Sequence, residues 1–513
     1  MRKATLLVCF LFAFFLLSQA QFKQVAEGPI FDMPNIGIAK ILPLKDGSTM
    51  YLHIGFKNEA IEVRCYDPAH KQIAATTLSP AYGRLRTPEL ENLFEINGDA
   101  ILLISEFQEK VPVLYRLIID GKTGKLKKEE QIADLKKMTL GMGYALGFGG
   151  VGVPGFSSSK DPDGDTYAIA SYNSFVPESN KRLEVVVYGS DHAEISRAFY
   201  VSPGEKHKYM DLISMAVMGS EKVCLIVNGY NSGKDDKDVL IATLNKGASS
   251  VTFGELNFPK DSVLETALVR YNPFSKKFVF AAKMYPKKSK EKEAVISIAV
   301  IDPLTLKIES RILSGISENL FERSKELYGK KYRYAGVPVR LENNTDGGFS
   351  IIYEAYIGSQ SGDIVVVNYT KDGQFVNDYM VPKLFVHDNP IAVANSVSFK
   401  NVYKEFAYIN AAGKKYLFIN DDERNIERVE KNKEPIGIQG VNNMDAFYFP
   451  LSGNEVIPAR KFLVSDPTIK KRSQPKGLFR ASGYDKKNNL FIVVFYEEEG
   501  GDKGFKLKWL EPK

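Results

Sequence analysis

The sequence predicts an all-β chain of eight four-stranded antiparallel units, joined end to end and closed on themselves. Three observations carry this expectation. A small polar turn leading into an apolar strand occurs eight times. No helical pattern alternates with the strands. The last unit is one strand short, while the start of the chain holds a spare strand.

The pattern is plainest from Thr266 to Leu313. Its strands are Thr266–Tyr271, Phe278–Tyr285, Ala294–Ile301 and Leu306–Leu313, separated by Asn272–Lys277, a Lys/Glu-rich loop and Asp302-Pro303. Along the chain, the turn before the second strand recurs at Asp46-Gly47, Asn97-Gly98, Asp163-Gly164, Gly219-Ser220, Ser275-Lys276, Asp346-Gly347, Ala412-Gly413 and Lys487-Asn488. Gly, Asn and Asp suit these positions because tight hairpins need positive φ or a side-chain bond to the turn backbone. The strands that follow are Thr49–Phe56, Ala100–Phe107, Thr166–Tyr172, Lys222–Asn228, Phe278–Tyr285, Phe349–Tyr356, Lys415–Asn420 and Leu490–Tyr496. A second echo joins the third and fourth strands, as in Ile119-Asp120-Gly121 and Ile301-Asp302-Pro303.

Eight such units imply a β-propeller; seven blades are the alternative, because unit seven is interrupted by a long loop. The last unit, 478–513, stops where its fourth strand should begin. The segment 21–35 completes it by pairing Gln21–Phe31 with Phe505–Leu510, which removes exposed edges. Residues 21–513 then form a single domain. The chain resembles the β-propeller superfamily by architecture. It has no recurrent Trp-Asp, no double-Gly kelch signature and no aspartate box ending in Trp. Its style is similar to secreted bacterial propeller-like proteins of uncharacterised function, a resemblance that supplies no site residues.

Arg2-Lys3, the apolar run Ala4–Leu17 and Ser18-Gln19-Ala20 read as a secretory signal peptide cleaved after Ala20, for a secreted or periplasmic protein. No later stretch is apolar and long enough to span a membrane. Loss of Arg2 and Lys3 takes the formal charge from +6 to +4, since 6 − 2 = 4. Acidic and basic residues are interspersed, so no nucleic-acid footprint stands out. Cys65 and Cys224 fall in strands of the first and fourth units and are expected as buried free thiols.

The short turns fall on one face of the ring. The long connections fall on the other: Thr139–Lys160, Asn228–Asp238, Lys287–Glu293, Ser314–Lys331, Pro382–Ala392, Asp421–Asn443, Asp466–Lys476 and Glu497–Asp502. Function concentrates on such loops. One link reads as a rim helix, with Ser317 as cap, Leu320, Phe321, Ser324, Leu327 and Tyr328 on one face, and Gly329 as stop.

Asp161-Pro162-Asp163-Gly164-Asp165 presents alternating carboxylates for calcium, with Asp161, Asp163 and Asp165 as ligands. It lacks the Gly and Glu of a full loop and sits where the repeat demands a turn. No other cofactor is indicated. Gly141–Gly152 is Gly-rich without G-x-G-x-x-G spacing and reads as an inter-blade link. The five His have no metal-ligand spacing; His387 lies on the long-loop face. Glu354 is an isolated strand carboxylate between Tyr353 and Tyr356. Asn343 and Asn368 stand in N-x-T sequons.

With few His, one Trp and no nucleophile motif, the sequence leans toward a secreted non-catalytic binding or scaffolding monomer that engages a protein or glycan through the long-loop face. The alternatives are an extracellular polysaccharide hydrolase or lyase and a structural component of a cell-surface assembly. A Tyr-lined pocket with facing carboxylates would favour the enzyme.

Overall fold

The computed structural model describes residues 22–32, 37–55, 60–79, 88–137, 153–231, 237–259, 261–287, 294–314, 316–329, 336–357, 360–387, 402–440, 444–464, 475–499 and 502–512. Eight antiparallel sheets succeed one another along the chain, seven of four strands and one of five. The alternative of seven blades falls away. The first strands of neighbouring blades lie against one another and are innermost. They are Gly37–Pro43, Glu89–Ile96, Gly155–Lys160, Tyr209–Met218, Ser262–Asn272, Val337–Asn343, Ala407–Ala411 and Lys476–Asp485.

Burial follows position within each blade. The second strand of blade 1, Thr49–Gly55, is buried on both faces because a blade lies on either side of it. Its outermost strand, Gln72–Leu78, alternates half-buried and exposed residues. Eight apolar clusters fill the seams between consecutive blades, including the seam between blades 8 and 1. The hairpin turns behave as the repeat requires. In the first, Gly47 has φ 92°, and a Cβ there would come within 2.7 Å of Asn488 in blade 8. Between third and fourth strands, the Asp120 and Asp302 carboxylates each accept the N–H three residues on, from Thr123 at 2.7 Å and Thr305 at 2.8 Å. The expected fourth strand Leu306–Leu313 starts later, at Ile308. Leu306 has φ 56° and closes the preceding turn onto Asp302.

The ring closes as the sequence predicts. Lys23–Glu27 is the outermost strand of the last blade, paired antiparallel with Lys508–Glu511, and Phe31 bridges Phe505. Phe22 enters the seam between blades 7 and 8, edge-on to Tyr416 and Tyr448 at 5.0 Å each. Trp509, fully buried, donates across the 8/1 seam to Thr49 Oγ1 at 3.2 Å and stacks on His70 at 5.1 Å. Phe22→Ala is expected to cost about 3–5 kcal/mol, because it empties a cavity at the clasp. Urea unfolding checks this, and a loss below about 1 kcal/mol would show that the clasp rests on the strand pairing alone.

Helix α1, Glu318–Tyr328, is the expected rim helix. Ser317 Oγ accepts from Leu320 N–H and itself donates to Asp378, while Leu320, Ser324 and Leu327 are buried. A second helix, α2 at Arg424–Glu430, lies within the expected long loop Asp421–Asn443. Its polar sequence hides it; Asn425 holds it by donating to Asp421 and accepting from Ile436 N–H. Among the described residues no helix is long and apolar enough to cross a membrane.

Candidate functional site at the long-loop mouth of the channel

Each innermost strand starts at the long-loop face, and each second strand ends there. Five of those second strands carry a tyrosine at or near that end: Tyr172, Tyr230, Tyr285, Tyr356 and Tyr496. Phe107 holds the corresponding place in blade 2. Register fixes their level. Tyr172 pairs Gly155, Tyr230 pairs Tyr209, Tyr285 pairs Val263 and Tyr496 pairs Lys476, each the first or second residue of an innermost strand. An aromatic rim therefore marks the level of the channel mouth, with Tyr230 buried and stacked on Tyr209 at 5.5 Å. Phe107 and Tyr356 are 47% and 42% exposed, available for stacking. The signal was present in the sequence as the aromatic ending of successive second strands.

The innermost strands are bulged near the same level. Register slips at Glu91 in blade 2, Ile213 in blade 4, Glu265 in blade 5, Val339 in blade 6 and 479–481 in blade 8. A bulge leaves one residue out of the ladder and re-aims its side chain. At Glu91 the consequence is chemical. Its carboxylate accepts from Ser105 Oγ at 2.8 Å, yet burial, reinforced by neighbouring Glu89, pushes its pKa up to about 7. Tyr172 sits in the next blade, its phenol pushed upward by burial and by the charges of Glu91, Glu89 and Asp211. Tyr230 donates to Asp211 at 3.1 Å. Glycine at 155 leaves room for the Tyr172 phenol, since a Cβ would meet its hydroxyl at 2.9 Å and displace it. Three carboxylates from blades 2 and 4 thus act electrostatically on one tyrosine from blade 3.

Glu354, singled out in the sequence, is not free to act as a base. It is buried and paired with Lys383 Nζ at 2.5 Å, and it accepts from the Tyr356 hydroxyl. Lys383 lies 4.6 Å from the Phe385 ring, on a fifth strand, Phe385–Val386, that joins blade 6. His387 meets Ser361 at 3.0 Å rather than standing in solvent. This network fixes the Tyr356 side of the mouth. In blade 5, bulged Glu265 pairs buried Lys283 at 3.0 Å.

The Asp161–Asp165 segment forms the expected hairpin turn. Asp161 accepts from Asp163 N–H at 2.9 Å and from Gly219 N–H of blade 4 at 2.6 Å, and Asp165 pairs Lys45 at 2.5 Å. Among the described residues no three His, Cys, Asp or Glu are grouped to hold a metal. Gly141–Gly152 lies outside the described residues. His207 is buried between Ser202 and Asp238. Both sequon asparagines are engaged: Asn343 donates to Tyr271 O at 2.8 Å, and Asn368 accepts from Ser350 and Lys415 at 2.7 Å each. Cys65 and Cys224 are buried and unbridged.

A groove of about 510 Å³ lies on the rim between α1, α2 and the loop 454–460. Its wall is stiffened by Arg460, which pairs buried Asp421 at 2.5 Å and lies 5.3 Å from the Phe449 ring.

Fold and site together define a class: an eight-bladed β-propeller with an aromatic, carboxylate-bearing channel mouth. No family model and no curated protein matches the chain. Similar solved structures include a Porphyromonas gingivalis dipeptidyl peptidase 4, at 10% identity over 94% of this chain and 60% of that one, TM-score 0.44. Others are the Dos1 propeller, 10% identical over 96% and 95%, TM-score 0.45, and an ulvan lyase, 7% identical over 78% and 93%, TM-score 0.41. This chain spans about three-fifths of the length of the peptidase. No residue role is carried over from any of them.

Proposed function

We propose that the protein is a secreted enzyme that binds an extracellular polysaccharide across the channel mouth and cleaves it, with Glu91 as proton donor. The observation that carries this reading is the bulged Glu91 carboxylate, held by Ser105 at 2.8 Å at the level of the aromatic strand ends, with Glu89 and Asp211 acting on the same Tyr172 phenol. Sugar rings stack on the exposed rings of Phe107 and Tyr356. Glu91, protonated near neutral pH, gives its proton to the glycosidic oxygen as the bond to the anomeric carbon breaks. A neighbouring carboxylate, Asp211 or Glu89, takes the proton of the attacking water, whose hydroxyl joins the anomeric carbon. The signal peptide read at 1–20 delivers the protein to such a substrate.

A second reading, a glycan-binding scaffold, draws on the same rim, because exposed Phe107 and Tyr356 suit stacking without chemistry. Incubation with a panel of purified polysaccharides, followed by reducing-end detection and an affinity gel, separates the two. New reducing ends from the wild type, absent with Glu91→Gln, support the enzyme. Retardation without product supports the scaffold.

A further inference from the structure

The innermost strands of blades 6, 8 and 1 carry a group of cations. Lys40 of blade 1, Arg340 of blade 6 and Arg480 of blade 8 all lie on innermost strands. The inner strands of blades 8 and 1 lie against one another, and there burial first, then Arg480 and more weakly Arg340, draw the Lys40 ammonium down to about 8, with Glu405 acting in the other direction. Glu405 is shared, since it pairs Arg480 at 3.4 Å. Glu342 is shared as well, between Arg340 and Arg270, the latter at 3.5 Å. Lys40, Arg270, Arg340 and Arg480 therefore outnumber Glu342 and Glu405. The Arg340 and Arg480 side chains are 45% and 40% exposed, so part of each guanidinium is reachable by a ligand beside its carboxylate partner. Like charges crowded at a half-buried site repel, and an incoming anion relieves them. Planar guanidinium groups match carboxylate and sulfate oxygens in two-point contacts.

We propose that the polymer held at this mouth is anionic, its carboxylate or sulfate groups received by Lys40, Arg340 and Arg480. The proposal rests on the polysaccharide reading above and names the substrate class of the same site. The neutral part of a sugar stacks on the rim, its charged substituent points to the cationic group, and the linkage faces Glu91.

The test uses the full mature chain with polygalacturonate, dextran sulfate and unmodified dextran, each assayed for binding at low and high salt and for cleavage. The expected result is binding of one or both anionic polymers at least tenfold tighter than dextran, weakened by salt. Arg480→Gln and Lys40→Ala should each lower that affinity by about tenfold, the loss of one charge-assisted contact. A preference for polygalacturonate assigns carboxylate, and a preference for dextran sulfate assigns sulfate. Equal binding of dextran and both polyanions overturns the proposal, as does salt-independent binding by the wild type, a readout that needs no variant to fold. Cleavage of dextran alone overturns it while leaving the polysaccharide enzyme standing. Salt-sensitive polyanion binding with no cleavage supports the anionic ligand and removes the enzyme.

Discussion

Glu91→Gln is expected to lower polysaccharide cleavage by about 10²- to 10⁴-fold with little change in polymer affinity. Glutamine keeps the shape and can still meet Ser105, but it has no acidic proton to transfer. The wild-type rate should fall as pH rises through about 7, where the protonated donor disappears. Stability provides an independent check. The folded pKa of Glu91 is raised above its ordinary 4.5, so its contribution is fully present below about 4.5 and is lost as pH rises through about 7. Subtracting the urea-unfolding free energies of Glu91→Gln from those of the wild type between pH 4 and 8 should trace that loss. His53 acts in the other direction. Burial lowers it to about 4, so its contribution is lost as pH falls below about 6.5 and through 4, and it cancels in the difference. A flat difference curve, or an unchanged rate, would remove Glu91 from the donor role.

Lys383→Ala is expected to destabilise the fold by about 3–5 kcal/mol, among the largest single-site effects in the molecule. Lys383 and Glu354 are 1% and 5% exposed and meet at 2.5 Å. Removing the ammonium strands a buried carboxylate, with only the Tyr356 hydroxyl from the described pairing to answer it. The pair as a whole is a different matter, because desolvation of both ions offsets their attraction. Lys383→Met combined with Glu354→Leu should recover most of the lost stability. Chemical unfolding of wild type, single and double variants measures the difference. If the double variant is no more stable than Lys383→Ala, the pair does more than cancel its own desolvation. The same double variant frees Tyr356, so it also tests whether the rim on blade 6 must be fixed for polymer binding.

Much of the ring was legible from residue order. Asp46-Gly47, Asn97-Gly98 and most of their relatives mark hairpins because the backbone there takes positive φ, while Asp163-Gly164 is held by the Asp161 carboxylate, local requirements that few residue types meet. The spare strand ahead of blade 1 was legible because a blade of three strands leaves an open edge, and Lys23–Glu27 fills it. Helix α1 was readable from its cap and apolar spacing; α2, two turns of mostly polar residues, had neither. The ends of the second strands already held the aromatic rim, as Tyr172, Tyr285, Tyr356 and Tyr496.

The site itself was decided by tertiary structure. A bulge such as that at Glu91 is a slip in pairing between two strands, and no composition signals it. The company of Glu91, Tyr172 and Asp211 comes from three blades, and that of Lys40, Arg340 and Arg480 from three others. Sequence order alone set the turns, the strand count and the closing strand, because each depends on neighbours along the chain. Only closure of the ring turned distant strand positions into one mouth with an acidic and a cationic group, because burial and Coulombic interaction depend on distance in space.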